Sequence, residues 1–236
     1  MAKFEPFERY AEKYDEWFDK NKFTYESELQ AIKELLPRNQ NGIEIGVGSG
    51  RFAAPLGIKL GLDPSVKMGE IAQKRGVEVV EGVAESLPFD DLQFDFVLMV
   101  TTVCFLDDIE TAFKEASRVL KSGGYLIIGF IDAESLIGKL YEKYKSESTF
   151  YKDATFYSVK EVISHMKKAD FKDFSFRQTL FQPSEKLKTT EPVEKGFGKG
   201  SFVVIRGTKT RKINLNYIFY HLPIIVFLTK SFFNNE

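Results

Sequence analysis

Three glycines at alternate positions, Gly46, Gly48 and Gly50, follow a short apolar segment at residues 42–45. Glycine lets the backbone turn through positive φ and approach a ligand without a Cβ clash. A strand that runs through such a loop into a helix points free N–H groups at the space above it. Asp63 ends the next predicted strand, where an acid accepts hydrogen bonds from ribose hydroxyls. The stretch therefore predicts a nucleoside-binding corner of an open α/β sheet.

The spacing of the glycines after Glu44 distinguishes two classes of cofactor. A dinucleotide-binding loop has the pattern G-x-G-x-x-G, whereas this chain has Glu44-x-Gly46-x-Gly48-x-Gly50. This pattern resembles the first motif of the class I methyltransferases that use S-adenosylmethionine. An ordinary turn between a strand and a helix is the alternative interpretation of the glycines alone. The missing G-x-G-x-x-G pattern argues against an NAD-dependent oxidoreductase.

Later segments extend the resemblance to about residues 10–130. Residues 118–128, RVLKSGGYLII, resemble the R-V-L-K-P-G-G-x-L-x-I segment of this family. Residues 82–89, GVAESLPF, resemble its G-D-A-E-x-L-P-F segment, whose backbone and acid meet the adenine. Val83 replaces the aspartate that accepts the adenine amino hydrogens in the family. Either Glu85 makes this contact instead, or the backbone of the next residue and apolar packing hold the adenine.

The resemblance implies S-adenosylmethionine as the cofactor and assigns roles around it. It implies that Glu44 orients the glycine loop and reaches the methionine end, and that Asp63 binds the ribose hydroxyls. It places Thr101, after the predicted strand at 94–100, under the sulfur that carries the methyl group. The predicted cofactor-binding residues are Glu44, Gly46, Gly48, Gly50, Asp63, Pro64, Val83, Ala84, Glu85 and Thr101. No metal ligands are predicted.

Residues 1–37 are predicted to form a helical lid. The segment YDEWF at residues 14–18 resembles the N-terminal segment that covers the cofactor in many small-molecule members of the family. Tyr14, Trp17 and Phe105 are therefore the predicted lid and substrate residues. The alternative is that the aromatic residues of this segment only pack on the sheet.

The predicted reaction is in-line transfer of a methyl group to an unidentified small molecule. A sulfonium is a good leaving group, so the protein mainly has to hold the nucleophile, the methyl group and the sulfur in line. Many relatives have a histidine pair where Cys104 and Phe105 stand here. No general base stands out, and Tyr14 and Tyr157 are the remaining candidates. The alternative function is a non-catalytic module that binds S-adenosylmethionine or another nucleoside for regulation.

The predicted fold class is α/β, with a Rossmann-like doubly wound sheet of seven mostly parallel strands and an antiparallel last strand. Residues 94–100 are a nearly continuous apolar run, which is typical of a central strand buried on both faces. Residues 174–180 and 201–207 are predicted to form the antiparallel pair that completes the sheet. Only residues 51–57 separate the glycine loop from the next strand, so the first helix has one or two turns at most.

The predicted domain organisation has three parts. Residues 1–37 form the lid, 38–208 the methyltransferase domain and 209–236 an apolar tail. Within the tail, residues 213–229 contain no Asp, Glu, Lys or Arg. This segment could lie in the plane of a membrane, pack on its own domain, or form a disordered or oligomer-forming tail. Membrane contact would favour a quinone or lipid precursor as acceptor, and a small metabolite is otherwise expected.

The composition sets further limits. Lys and Arg number 33 and Asp and Glu 34, for a net charge of −1, so global charge gives no argument for a nucleic acid partner. The single cysteine, Cys104, can form neither an internal disulfide nor a metal cluster. We therefore expect a cytoplasmic, reducing environment.

Overall fold

The computed structural model describes residues 3–38, 40–183 and 187–210. One sheet carries helices on both faces, with a hydrophobic core on each side. The helices are α1 (Glu5–Arg9), α2 (Ala11–Lys20), α3 (Lys22–Leu35), α4 (Ala53–Leu56), α5 (Val66–Lys74), α6 (Ile109–Val119), α7 (Leu136–Tyr144) and α8 (Val159–Lys168). The strands are β1 (Gly42–Ile45), β2 (Leu60–Asp63), β3 (Glu78–Glu81), β4 (Phe94–Val100), β5 (Leu120–Ile131), β6 (Phe171–Thr179), β7 (Glu194–Lys195) and β8 (Phe202–Lys209).

The strands follow the order β3-β2-β1-β4-β5-β8-β6-β7. β1 to β5 pair in parallel, and β8 runs antiparallel between β5 and β6. The predicted α/β fold with a mostly parallel sheet and an antiparallel last strand is confirmed. The predicted number of seven strands is wrong, because the sheet has eight. The additional strand, β7, is a two-residue edge strand of exposed Glu194 and Lys195, which have no apolar pattern to reveal it.

β4 lies at the centre of the sheet and is buried on both faces, as its apolar sequence predicts. Successive side chains of a strand point to opposite faces. Val97 and Met99 therefore join the core under α6 and α8, whereas Phe96 and Leu98 join the core under α3. Helices cover both faces of the sheet at β4. Neither face of the strand meets water, so its side chains can be apolar on both.

The N-terminal region contains three helices. α1 and α2 are separated at Tyr10, whose φ of −125° and ψ of 34° interrupt the helical backbone. α3 begins at Lys22, and Ser27 lies inside it with its hydroxyl donating to the Phe23 carbonyl at 2.7 Å. α3 packs along β6, β8 and β5 and also contacts α2, so it connects the sheet to the N-terminal helices.

The first helix after the glycine loop is very short. α4 has four residues and ends at Gly57, whose φ is +76°. This confirms the prediction of one or two turns at most. Pro55 is tolerated in α4 because the first N–H groups of a helix have no partner within it.

The predicted tail segment at 213–229 lies outside the described residues. Within the described ranges, none of the helices combines the length and apolar character needed to cross a membrane. The last described strand, β8, ends at Lys209, whose Nζ donates to the Leu120 carbonyl at 2.6 Å.

Candidate active site

The glycine loop turns through positive φ at each of its three glycines. φ is +70° at Gly46, +52° at Gly48 and +77° at Gly50. A Cβ at Gly46 would lie 2.5 Å from the Thr102 side chain, and a Cβ at Gly50 would lie 3.1 Å from a side chain of α5. A Cβ at Gly48 would meet nothing within 4 Å. Packing therefore requires glycine at Gly46 and Gly50. At Gly48 the space beside the backbone is open.

Asp63, at the end of β2, is joined to this loop by hydrogen bonds. Its Oδ2 accepts from the Gly48 N–H at 2.8 Å, and its Oδ1 accepts from the Ser65 N–H at 2.9 Å. The residue is 8% exposed. Burial raises the pKa of its carboxyl to about 6, and the two hydrogen bonds act in the opposite direction. Each oxygen accepts only one of these bonds, so each retains a lone pair for a ribose hydroxyl.

Glu44 is 1% exposed in the middle of β1. Its carboxyl accepts a hydrogen bond from the Ala53 N–H at the start of α4, which ties the strand to the short helix. Its Oε2 has no hydrogen-bond partner among the described residues. Burial raises the pKa of this carboxyl well above its usual value, and Asp63 adds to the effect. A buried, unpaired carboxyl oxygen fits the ammonium group at the methionine end of S-adenosylmethionine.

These residues line one cleft above the carboxyl ends of β1, β2 and β4. The cleft encloses about 990 Å³ of empty space, part of it open to solvent. Three predicted site residues do not line it: Gly50 packs against α5, Trp17 packs edge-on against Phe18, and Tyr157 lines a second cavity. The predicted residues that do line it are Tyr14, Glu44, Gly46, Gly48, Asp63, Pro64, Val83, Ala84, Glu85, Thr101 and Phe105.

The wall at the predicted adenine end is largely apolar. Val83 is 45% exposed, Ala84 is buried, and Leu106 lies opposite in the same cleft. The Glu85 Oε1 accepts hydrogen bonds from the N–H groups of Asp107, at 2.9 Å, and of the next residue, at 3.2 Å. Glu85 therefore fixes the loop before α6 with one oxygen. This wall favours the alternative in which packing and the Ala84 backbone hold the adenine.

Thr101 is the residue at which the cleft meets a second cavity. Its φ is +51°, which is uncommon for a residue other than glycine. Its N–H donates to the Gly129 carbonyl at 2.8 Å, and the Tyr14 phenol interacts with its side chain. We call the second space the aromatic cavity; the volume within it that the centre of a water molecule can occupy is about 20 Å³, which is room for about one water. Its lining residues, none of them charged, are Thr101, Val103, Cys104, Phe130, Ile131, Tyr141, Tyr151, Phe156 and Tyr157.

A continuous set of aromatic rings connects the lid to this cavity. The Tyr14 and Phe150 rings are 5.2 Å apart, and the Phe7 and Phe105 rings are 4.8 Å apart. Phe105 in turn stacks on Tyr151 at 5.5 Å. These rings belong to α1, α2, the turn after β4 and the segment after α7, so they join the N-terminal helices to one wall of the aromatic cavity.

The titratable groups around the aromatic cavity are protonated at neutral pH. Burial raises the pKa of the Tyr14, Tyr151 and Tyr157 phenols above the usual value of 10.0. Burial also raises the pKa of the Cys104 thiol to about 12. The two tyrosines proposed as bases are thus poor bases, and the cysteine is an unreactive thiol. They can still orient a bound molecule by hydrogen bonding.

Charged residues that the sequence analysis did not single out hold the lid on the glycine loop. Asp15 of α2 pairs with Arg51 and with the guanidinium of Arg75, which donates to its Oδ2 at 2.7 Å. The Ser49 hydroxyl donates to Oδ1 of the same carboxylate at 2.6 Å. The Asp15 side chain is largely buried among these donors. In the sequence these residues are far apart, so their pairing carries no local signal.

A second anchor holds α1. The Glu8 Oε2 accepts hydrogen bonds from the Ser65 hydroxyl at 2.7 Å and from the Lys67 N–H at 3.1 Å, at the start of α5. Lys3 donates to the Leu106 carbonyl at 2.7 Å. The lid is therefore bound on both sides of the cleft, next to Asp63 and next to the apolar wall.

Comparison with known proteins identifies the family. The crystal structure of a SAM-dependent methyltransferase from Thermotoga maritima, described as a possible histamine N-methyltransferase, matches with a TM-score of 0.86 and 56% identity. The match covers 88% of this chain and 100% of that one. The chain belongs to the S-adenosylmethionine-dependent methyltransferases. The methyltransferase also matches the family described as Methyltransferase domain over residues 43–128.

Two further relatives of the methyltransferase extend this result. An uncharacterised protein of Methanocaldococcus jannaschii is 48% identical over 203 residues, which are 86% of this chain and 98% of the relative. A demethylmenaquinone methyltransferase of Chlorobaculum tepidum is 37% identical over 108 residues, which are 42% of this chain and 45% of the relative. The predicted family and the predicted enzyme class are confirmed, and nothing in these comparisons supports a non-catalytic module.

S-adenosylmethionine is the cofactor of this family, and the geometry of the cleft fits it. Asp63 presents a carboxylate to the ribose position, and the bare backbone at Gly48 allows close approach. The unpaired Glu44 Oε2 provides an acceptor for the ammonium group.

Proposed function

We propose that this methyltransferase moves a methyl group from S-adenosylmethionine to a nitrogen atom of a small molecule that binds at Thr101, where the cofactor cleft meets the aromatic cavity. The observation that carries the proposal is the position of Thr101, which lines both the cofactor cleft and the aromatic cavity. S-adenosylmethionine supplies the methyl group: the nitrogen lone pair forms the new C–N bond as the C–S bond breaks, which leaves S-adenosylhomocysteine. The protein contributes by holding the nucleophile in line and excluding water.

The chemistry of the aromatic cavity favours nitrogen as the nucleophile. An alcohol or a phenol has to lose a proton to become a good nucleophile, and the lining side chains offer no base. A neutral amine or an aromatic ring nitrogen already has a free lone pair. Aromatic faces such as those of Tyr151 and Phe156 also stabilise the positive charge that N-methylation produces. Any surplus proton leaves to solvent from the product.

The Thermotoga relative supports the same class of acceptor. Its description names a possible histamine N-methyltransferase, and the similarity extends over the whole of that protein. Histamine carries a ring nitrogen that has a free lone pair at neutral pH and is a candidate for methylation without a protein base, whereas its primary amine is protonated at that pH. We therefore include histamine among the acceptors to be tested first.

The test combines cofactor binding with product formation. We would titrate the full chain with S-adenosylmethionine and S-adenosylhomocysteine by calorimetry, and repeat the titration with Asp63→Ala and Asp90→Ala. Asp63→Ala should weaken binding by about tenfold or more, because it removes a charged hydrogen-bond partner of the ribose. Asp90→Ala, which changes an exposed aspartate of the same type outside the cleft, should bind as the wild type does.

Acceptors would then be compared by mass spectrometry of the methylated product. The panel contains histamine, tyramine, a simple thiol and a quinol, each with S-adenosylmethionine. We expect a ring N-methyl product from histamine and none from the quinol. Methylation of the quinol alone would overturn the assignment of nitrogen, and absence of any product despite cofactor binding would overturn the proposed transfer.

A further inference from the structure

Arg75, at the end of α5, is bound to both the glycine loop and the lid. Its Nη1 donates to the Ser49 carbonyl at 2.8 Å, and its Nη2 donates to Oδ2 of Asp15 at 2.7 Å. The Arg75 side chain is 27% exposed and the Asp15 side chain 16%. A guanidinium group is planar and presents its donors in a fixed fork, so one side chain sets the spacing of these two acceptors. Arg75 therefore connects α2 of the lid to the backbone of the loop.

The carbonyl that Arg75 holds belongs to a segment with little stiffness of its own. Ser49 lies between Gly48 and Gly50, whose φ values of +52° and +77° are in the left-handed region. Glycine adopts this region without strain but also adopts many other conformations, so contacts from outside the loop have to select one. Ser49 is 2% exposed, and its hydroxyl donates to Oδ1 of Asp15 at 2.6 Å. Both the main chain and the side chain of Ser49 are thus held by partners outside the loop.

The part of the loop that Arg75 holds also faces the cofactor. Gly48 and Ser49 both line the cofactor cleft. The Gly48 N–H donates to Oδ2 of Asp63 at 2.8 Å, and the next residue offers its carbonyl to Arg75. Two neighbouring residues of the loop are therefore held from outside, one by Asp63 and one by Arg75. Arg75 is not among the described residues that line the cleft, so it reaches the cofactor only through the loop.

α5 carries both of these attachments. At its start, the Ser65 N–H donates to Oδ1 of Asp63 at 2.9 Å, and at its end Arg75 reaches the glycine loop. A helix of nine residues is a rigid element about 14 Å long, so α5 fixes the separation of the two attachments. Near its end Ala72 packs against the loop, with its Cβ 3.1 Å from the position that a Cβ would take at Gly50. The placement of the loop relative to Asp63 therefore depends on α5 and on Arg75.

We propose that Arg75 is a positioning residue for S-adenosylmethionine, which holds the glycine loop in its cofactor-binding shape in full only while α2 is docked. Asp15 of α2 provides this condition, because its carboxylate orients the guanidinium group that donates to Ser49. Undocking of α2 removes Asp15 and releases Arg75 and the Ser49 hydroxyl together. Docking of α2 therefore favours cofactor binding, and bound cofactor favours docking of α2 by the same factor. The acceptor plays no part in this coupling, so its identity does not affect it.

The two lid helices are attached to α5 at different ends. α1 is held at the start of α5, where Oε2 of Glu8 accepts from the Ser65 hydroxyl at 2.7 Å. α2 is held at the end of α5, where Asp15 accepts from Arg75. Loss of the Arg75 side chain should therefore affect α2 rather than α1, whereas a general loss of stability would affect both helices. The separate responses of α1 and α2 to the cofactor distinguish a positioning role from a merely structural one.

The experiment compares Arg75→Gln with Lys74→Gln in the full chain. Both substitutions remove one positive charge from the end of α5, but the Lys74 side chain is exposed. Calorimetry should show an affinity for S-adenosylmethionine that is about tenfold weaker in Arg75→Gln and unchanged in Lys74→Gln. Arg75→Lys should recover part of the loss, because it keeps the charge but not the planar fork. Wild-type affinity in Arg75→Gln, or an equal loss in Lys74→Gln, would overturn the positioning role.

Amide hydrogen exchange with and without saturating S-adenosylhomocysteine measures the coupling to the lid. In the wild type, the ligand should slow exchange in both α1 and α2. In Arg75→Gln, the slowing in α2 should shrink by about tenfold, the same factor as the loss of affinity, and the slowing in α1 should remain. Exchange in the central strand β4 reports whether the variant is folded. A slowing in α2 as large as in the wild type, or an equal reduction in both helices, would overturn the coupling.

The double variant of Asp15→Asn and Arg75→Gln tests whether the two residues act as one link. Residues that act through the same contact have effects that do not add. The double variant should therefore bind S-adenosylmethionine about tenfold more weakly than the wild type, as each single variant does. Independent contributions would multiply to a loss of about a hundredfold, and that result would overturn the link between Asp15 and Arg75.

Discussion

Asp15 of α2 and Arg51, the first residue after the glycine loop, form a two-point ion pair, with Nε 2.9 Å from Oδ1 and NH2 3.0 Å from Oδ2. Burial alone would raise the pKa of Asp15, but hydrogen bonds from Arg51, Arg75 and Ser49 outweigh it and lower the pKa to about 2. The carboxylate therefore stays ionised above that pH. It joins the helix that carries Tyr14 to the loop that faces the cofactor.

Asp15→Asn is expected to loosen the lid. The variant leaves two partly buried guanidinium groups without their shared carboxylate, so amide hydrogen exchange in α1 and α2 should accelerate. The affinity for S-adenosylmethionine should fall by about tenfold, or about 1.4 kcal/mol, as the closed lid is less populated. The control is Asp19→Asn, which removes a 70% exposed partner of the same Arg51 and should have little effect. Equal effects of the two variants would show that the Asp15 pair does not hold the lid.

Gly48 and Gly57 provide a matched pair for testing the glycine loop. Both have positive φ, of +52° and +76°, and a Cβ at either meets nothing within 4 Å. Gly48→Ala and Gly57→Ala should each cost about 1–2 kcal/mol of stability for the left-handed backbone. Only Gly48→Ala should also weaken S-adenosylmethionine binding, because its backbone borders the cleft. Thermal unfolding and calorimetry separate the two effects, and equal cofactor affinity in both variants would contradict the assigned contact.

Asp63 should make cofactor binding dependent on pH. The pKa of its carboxyl is raised to about 6 by burial, so the group is ionised above that pH and protonated below it. Only the carboxylate can accept hydrogen bonds from the N–H groups and from both ribose hydroxyls. Protonation of Asp63 should therefore cause a further decline in the affinity for S-adenosylmethionine as the pH is lowered through about 6. Titrations with Asp63→Asn should show a weaker affinity without this decline, and a decline of equal size in the variant would assign it to another group.

The parts of the fold and site that could be predicted are those with a local sequence signal. The glycines after β1, the acid at the end of β2 and the apolar run of β4 each identify their element from a few adjacent residues. Parallel strands place their carboxyl ends at one edge of the sheet, which brings Glu44 and Asp63 to one cleft without any knowledge of distant contacts.

The parts that could not be predicted depend on distant contacts. Trp17 and Phe18 are adjacent and equally aromatic, yet only Phe18 lines the cleft. The pairing of Asp15 with Arg51 joins residues that look like ordinary solvent-exposed charges on a helix and a loop. Glu28 looks like any acid on an amphipathic helix, and only the packing of α3 on β5 shows that it is buried without a partner.

Glu44 should release a proton when the cofactor binds. Burial raises the pKa of its carboxyl well above the usual value, which favours the protonated form in the ligand-free protein. The ammonium group of S-adenosylmethionine favours the ionised form, so binding should expel about one proton. Calorimetry in phosphate and in Tris, which differ in ionisation enthalpy, measures this number. Glu44→Gln should bind more weakly and release no proton at this step, and identical proton release by the variant would exclude Glu44 as its source.

Glu28 should make the stability of the ligand-free protein fall as the pH rises. Burial raises the pKa of its carboxyl from the usual 4.5 to about 8. A group that binds its proton more tightly in the folded state contributes stability that is complete below pH of about 4.5 and is lost progressively up to pH of about 8. Glu28→Gln cannot ionise, so it should be more stable than the wild type at pH of about 8, by about 1–3 kcal/mol.

Denaturant unfolding at a series of pH values measures this difference directly. The stability advantage of Glu28→Gln over the wild type should be smallest at acidic pH and should grow through the window between the two pKa values. Glu26→Gln changes an acid that is ion-paired and more exposed, so its difference from the wild type should be small and nearly constant with pH. An advantage of Glu28→Gln that does not vary with pH would mean that Glu28 is not an uncompensated buried acid.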